Sequence, residues 1–361
     1  MPTCDSVIRN VQVLDGSGNE PQAGAVAIAE GRIRAIGDVS GYSAAETLKG
    51  NGHILAPGFI DVHTHDDLYL IRAPEMLPKL SQGVTTVIVG NCGISAAPVQ
   101  LSRGFPDPMN LLGEKDAFRY PTFVEYVSAV AAAKPTVNVA ALVGHTALRN
   151  NHMDRLDRAA TTSEVAAMQE QLREALDHGA IGLSTGLAYL SANSASLEEV
   201  ECLAEVLSGT GAVYTTHLRS ETDRVLPAMD EAFHIGRKAN VPVIVSHLKC
   251  AGIDNWGRSS EVLQSFKLAR EHQAVGCDCY PYAAGSSTLD LRQVDERVTI
   301  TVTWSKPHPE LAGKNLAEIA AAWGLAQLEA ACKLQPAGAI YHSISEDDMR
   351  ATLRHPATMI G

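Results

Sequence analysis

Four histidines and one cysteine stand where they could hold a metal ion. They lie in His63-Thr64-His65, Asn91-Cys92-Gly93, Thr216-His217 and Ser246-His247-Leu248-Lys249. On an extended strand, residues i and i+2 point to one face, so the imidazoles of His63 and His65 can meet one ion. Cys92, His217 and His247 make a Cys-His-His set that leaves a fourth position open for water. Such a set is expected of catalytic rather than structural zinc. Thiolate with imidazole disfavours magnesium and calcium. The chemistry implied is metal-assisted hydrolysis. Taken singly, each residue is weak evidence. A histidine ending a strand is more often a hydrogen-bonded surface or core residue, and a buried cysteine is more often a small hydrophobe. The weight comes from the set, because its members end four separate expected strands.

Those strands are the elements that must position the set. Apolar runs GFIDVHTH, VTTVIVGNCG, VNVAALVGHT, IGLSTGL, AVYTTHL, VPVIVSHLK and VGCDCYPY follow one another from Gly58, and another begins at ATMIG. Between several of them lie amphipathic stretches such as TSEVAAMQEQLREALDHG, with Gly179 as its expected C-cap. Near-continuous apolar strands alternating with helices imply a parallel sheet covered on both faces. Repetition in sequence favours an α/β fold of the (β/α)8 barrel type, its eighth unit incomplete, over an open sheet. In such a barrel the chemistry sits at the C-terminal ends of the strands, where these residues fall.

The third run ends in Gly144-His145, and His145 reads equally as a mouth-lining or a structural residue. The seventh ends in Asp278-Cys279-Tyr280. Cys277 and Cys279 share the face opposite Asp278 and read as core packing. Residues 1–57 contain the β-rich runs SVIRNVQVLDG, AVAIAEGRIRAIG and HILAPGF and read as a small β module. Residues 58–361 read as the barrel. From about 284 to 336 the rhythm weakens, and this stretch, with a helical NLAEIAAAWGLAQLEAAC, reads as a lid or insertion.

The 361 residues carry a formal charge of −12, which argues against nucleic acid and anionic membrane surfaces as partners. No apolar run is long enough to span a bilayer. The first ten residues, MPTCDSVIRN, do not read as a secretory signal. Seven cysteines, with no C-x-x-C pair, argue against a disulfide framework and for a reducing, cytoplasmic setting. The oligomeric state is left open.

At these residues the chain resembles the amidohydrolase superfamily. PGFIDVHTHDD looks like its first-strand signature, and GRIRAIG with APGF looks like its flanking β-sandwich. TTVIVGNCGIS, THLRSE, VPVIVSHLK, DCYPYAAGSS and LQPAGAIYH resemble the D-aminoacylase branch, the N-acyl-D-amino-acid deacylases. The resemblance runs along essentially the whole chain. It implies that Cys92, His217 and His247 hold one tight zinc. His63 and His65, sharing Cys92, would form a second, weaker site. Lys249 and Tyr280, assisted by Ser286, would bind the substrate carboxylate, and the stretch after Tyr282 would be a mobile lid. The substrate implied is a small N-acyl-D-amino acid.

The fourth strand, IGLSTGL, lacks the lysine that hydantoinase-like and dihydroorotase-like members use to bridge two metals; the Cys92 thiolate can supply that charge instead. The branch also places a catalytic aspartate just after a segment like PATMIG, and this chain stops at Gly361. The chain is therefore expected to be a fragment of a longer protein and nearly inactive alone. Loss of such a general base costs about 10²–10⁴ in rate. Two other readings stay open: a hydrolase of cyclic amides, and a catalytically inactive metal-binding scaffold.

Overall fold

The computed structural model describes residues 3–101 and 104–361. The chain divides into two compact units, Met1–Phe59 and Ile60–Gly361.

The first unit is one sheet. Its strands are β1 (Thr3–Val13), β2 (Gln22–Ala29), β3 (Arg32–Gly37), β4 (Ser43–Lys49) and β5 (Ile54–Leu55). β1 pairs antiparallel with β2 and parallel with β4 and β5. β2 and β3 form a hairpin turning at Glu30 and Gly31, both at positive φ (54° and 68°), the backbone of a tight two-residue turn. Val7, Ala25 and Ala27 make its core. β4 lies in a polar stretch, SAAETLK, that the sequence reading did not single out.

In the second unit, short parallel strands alternate with helices. The strands are β6 (Phe59–Asp61, beginning at the boundary), β7 (Val84–Val89), β8 (Asn138–Ala141), β9 (Val143–Gly144), β10 (Gly182–Gly186), β11 (Val213–His217), β12 (Val243–Val245) and β13 (Val275–Cys279). Then come β14 (Gly285–Thr288), β15 (Ile300–Ser305), β16 (Ala337–Tyr341) and finally β17 (Thr358–Ile360). One sheet runs β6-β7-β8 and another β9-β10-β11-β12-β13-β17. Only Leu142 separates β8 from β9. Its N–H reaches Val89 O, and Ile181 N–H reaches Ala141 O, so backbone hydrogen bonds continue across the gap.

The helices start and stop where local chemistry directs. Helix Thr162–Asp177 opens on a capping box between Thr161 and Glu164. It stops at His178, with Gly179 following at φ 97°. Helix Val225–Ala239 ends on Asn240 at φ 52°. Their apolar faces close over the strands: Leu172, Leu203, Phe233 and Phe266 are fully buried in the same core as Leu183, Tyr214 and Val243.

Between β13 and β17 the chain builds a separate small layer. β14, β16 and β15 form an antiparallel sheet backed by helices Leu316–Trp323 and Gln327–Leu334. It has its own core around Ile300, Leu316, Ala330 and Tyr341. The single helical stretch expected at 315–332 is two helices, because Gly324 takes φ 64° and ends the first. Among the described residues, no helix is long and apolar enough to cross a membrane.

Candidate metal centre

The ends of β6, β7, β11, β12 and β13 converge on one cluster. Cys92 does not sit in β7 itself but in the turn beyond it, at φ 54°. This turn lies against β10 so closely that glycine is required there. A Cβ on Gly186 would stand 2.1 Å from Cys92 O, and one on Gly93 would stand 2.5 Å from Gly186 N. Gly186 is in register with His217 on β11, which places the Cys92 turn level with that ring. His247 follows β12 by two residues, at φ 36°.

The thiol is the hub. Cys92 Sγ lies 3.2 Å from His63 Nε2 and 3.3 Å from His247 Nε2. The rings of His217 and His247 are 4.5 Å apart, centroid to centroid. Donor atoms of His63, Cys92 and His247 lie within 4.8 Å of one another, and so do those of His217, Glu221 and His247. His65 stands at the margin, its ring 5.6 Å from that of His63. The Nδ1 atoms of His65 and His217 are buried and have no hydrogen-bond partner among the described residues. His145 Nδ1, outside the cluster, is unpartnered too, so these nitrogens carry weight only together with the donor geometry around Cys92.

Electrostatics agree with the geometry. Burial opposes ionisation of Cys92, yet His63 and His247 hold its thiol well below the usual range. Burial keeps His217 below its usual range. Against burial, Asp278 and Cys92 raise His63, and Glu221 and Cys92 raise His247; those two rings would give up a proton to bind a metal. Thiolate and neutral imidazole are the forms in which these side chains bind metals. The cluster thus fits a soft or borderline divalent cation such as zinc.

Two carboxylates brace the rings, and sequence reasoning gave neither a role. Asp278, on β13, lies 3.2 Å from His63 Nδ1 and accepts the His247 N–H at 2.7 Å. Glu221 Oε1 lies 2.8 Å from His247 Nδ1 and 2.6 Å from Lys249 Nζ. Burial would raise the Glu221 carboxyl, but Lys249, His217 and His247 hold it far below the usual range. A charged residue in the otherwise apolar strand VGCDC, and an acid four residues after His217, were the signals available.

Lys249, Tyr280 and Ser286 meet in a cavity of about 340 Å³ that His65, Cys92, His217 and His247 also line. Lys249 Nζ stands 5.6 Å from the centre of the Tyr280 ring. Tyr189 and Arg292, not singled out by sequence, line the same cavity. The Tyr189 ring packs 4.8 Å from His217. Arg292 is paired with Asp290 at 2.6 Å. His145 lies outside the cluster: it is fully buried and donates from Nε2 to Glu199 at 2.9 Å. Cys277 and Cys279 are buried on the strand face away from the cluster, Cys277 against Thr358.

A model of the amidohydrolase family matches residues 50–298. The N-acyl-D-aspartate deacylase of Alcaligenes xylosoxydans xylosoxydans is 45% identical over 358 residues, covering 99% of this chain and 72% of that protein. The D-aminoacylase of the same organism is 43% identical over 357 residues, covering 99% of this chain and 74% of that one. The crystal structure of the N-acyl-D-glutamate deacylase from Bordetella bronchiseptica, with zinc and a phosphonate mimic of the tetrahedral intermediate, superposes with a TM-score of 0.95. That pair shares 42% identity over 99% of this chain and 76% of that one. A family model covering more than half of the chain, together with relatives this similar along nearly its whole length, makes it a member of the amidohydrolase family.

Proposed function

We propose that this chain is an N-acyl-D-amino-acid deacylase. It hydrolyses the amide of N-acyl-D-amino acids to a carboxylate and a D-amino acid, at a zinc centre. The carrying observation is the thiol of Cys92 between the imidazoles of His63 and His247, with His217 against the latter. Cys92, His217 and His247 are read as the tight site. His63 and His65, sharing Cys92, are read as a second, weaker one. The names and the bound zinc of the relatives support the reading. So does β10, whose residues Gly182–Gly186 include no lysine to bridge two metals.

Bound zinc supplies Lewis acidity toward the amide carbonyl and its attacking water. The remaining work belongs to side chains. With Nδ1 engaged by the Glu221–Lys249 pair, His247 is held with Nε2 toward the sulfur; Asp278 does the same for His63. Such outer partners fix ring orientation and tautomer. Lys249, Tyr280 and Ser286 take the α-carboxylate, which supplies an anion's partner within an acidic protein. The amide C–N bond breaks, the water oxygen joins the acyl carbon, and a proton goes to the leaving nitrogen.

The parallel strands β6 to β13 with β17 are read as a closed barrel. In support, His63, after the first strand, meets Asp278 on the seventh, and Gly361 N–H meets Cys279 O. Residues 284–336 are read as a lid, since Ser286, Asp290 and Arg292 line the cavity. Residues 1–57 are read as part of a β-sandwich.

The test is calorimetric titration of zinc-loaded protein with a phosphonate analogue of an N-acyl-amino acid in both configurations. The D-form is expected to bind at least about tenfold tighter, the scale of a well-placed pocket contact. Equal binding of both forms, or binding that survives removal of zinc, overturns the reading.

A further inference from the structure

Two residues of the cluster, Cys92 and His247, have left-handed backbone without being glycine. Such conformations persist only where the surroundings enforce them. For His247 the enforcing group is Asp278, which accepts its N–H. For Cys92 the enforcing group stands away from the thiol. The carboxylate of Asp67 is buried, the residue being 1% exposed. Its Oδ2 accepts the Gly90 N–H at 3.2 Å and its Oδ1 accepts the Ala96 N–H at 3.0 Å. Those amides mark the two ends of the turn that carries Cys92. Gly90 and Gly93, within the same turn, also have positive φ, 79° and 75°. Ser184 holds the turn from the β10 side, donating to Gly90 O and accepting from Gly93 N. Among the described residues, Asp67 is the one charged group that accepts from the turn's amides. Its own backbone is fixed by the Tyr126 hydroxyl, which donates to Asp67 O at 2.9 Å. The neighbouring Asp66 faces elsewhere, 3.3 Å from Lys79 Nζ.

We propose that Asp67 is a positioning residue for the metal centre: its carboxylate ties the ends of the 90–96 turn together and so aims the Cys92 sulfur at the cluster. The inference rests on Cys92 being a metal ligand. It gives the second aspartate of HTHDD a function distinct from ligation. On this reading the cost of holding Cys92 left-handed is met by the fold rather than by metal binding.

The experiment compares Asp67→Asn with Asp348→Asn. Asp348 is a matched control: it is 3% exposed and accepts two backbone amides, Gly257 at 2.7 Å and Ser259 at 3.1 Å, but clamps no ligand-bearing turn. Zinc affinity is measured by competition with a chromophoric chelator, and sulfur ligation by the thiolate-to-cobalt absorption of cobalt-loaded protein. Asp67→Asn is expected to weaken zinc about 10–100-fold, the scale of other outer-shell losses, and to diminish the cobalt–sulfur absorption. Asp348→Asn is expected to leave both unchanged at a similar loss of thermal stability. Wild-type zinc affinity and absorption in Asp67→Asn overturn the inference, as does an equal zinc loss in Asp348→Asn. A wild-type protein that binds no zinc removes the ligand reading itself. Should Asp67→Asn not fold, hydrogen exchange of the metal-free wild type decides. Protected Gly90 and Ala96 amides support the clamp, and exchange at the rate of an open loop overturns it.

Discussion

Two buried groups of histidine and carboxylate lie in the second unit, and they differ in what they leave unfinished. In the first, His145 and Arg149 both reach Glu199, and Arg149 also donates to Ser191 O, Leu156 O and Arg158 O. Glu199 Oε2 in turn accepts the Ala160 N–H. All three residues are almost wholly removed from solvent and none lines the cavity. In the second, a thiol stands between two imidazoles, two ligand backbones are left-handed, and the whole opens on a cavity. The first is closed off from solvent and cavity, with only His145 Nδ1 lacking a partner among the described residues of the group, and it binds loops and helices together. The second is left open toward a ligand. A histidine after a strand therefore distinguishes neither, nor does an unpartnered ring nitrogen; the thiol between the rings and the cavity beside it do.

The sharpest way to break that contrast is to cut the closed group. Arg149→Ala leaves the Glu199 charge buried and is expected to cost about 3–5 kcal/mol of stability in denaturant unfolding, with zinc per folded chain unchanged. A parallel loss of zinc would merge the two groups into one functional unit.

Acid acts on the same group. The Glu199 carboxyl is held down at about 2, against burial, by His145 and Arg149, from an ordinary 4.5. Its contribution, about 3 kcal/mol at 1.36 kcal/mol per pH unit, is complete above pH 4.5 and disappears as pH falls toward 2. Glu199→Gln should therefore flatten the fall in unfolding free energy across that window. An identical fall in both proteins would refute the assignment.

Cutting the open group should do the reverse. Cys92→Ser is expected to lower zinc affinity by at least about 100-fold, beyond the range of outer-shell changes, while the metal-free thermal midpoint shifts little. The smallest effect is expected from Lys249→Ala. It should weaken the D-phosphonate about tenfold, near the lower end for a lost charged hydrogen bond, and more than it weakens zinc binding. Unchanged phosphonate affinity would remove Lys249 from the substrate's partners.

Much of this was legible in the sequence because strand-end chemistry is local. His63, Cys92, His217 and His247 were marked by their places at the ends of apolar runs, and the structure gathers them around one thiol. The helix over 162–177 was legible from Thr161, Glu164 and Gly179. Asp278 and Glu221 were not, because their role is set by partners 215 and 28 residues away, His63 and Lys249. β4 was missed because SAAETLK has no alternation, and pairing with β1, not its own pattern, makes it a strand. The break at Gly324 was missed because helical periodicity resumes at once on the far side.

X-ray absorption at the zinc edge tests the central claim most directly. The account predicts one sulfur at about 2.3 Å and nitrogens at about 2.0–2.1 Å in the wild type, with the sulfur shell gone in Cys92→Ser. A first shell of nitrogen and oxygen alone in the wild-type protein would contradict it.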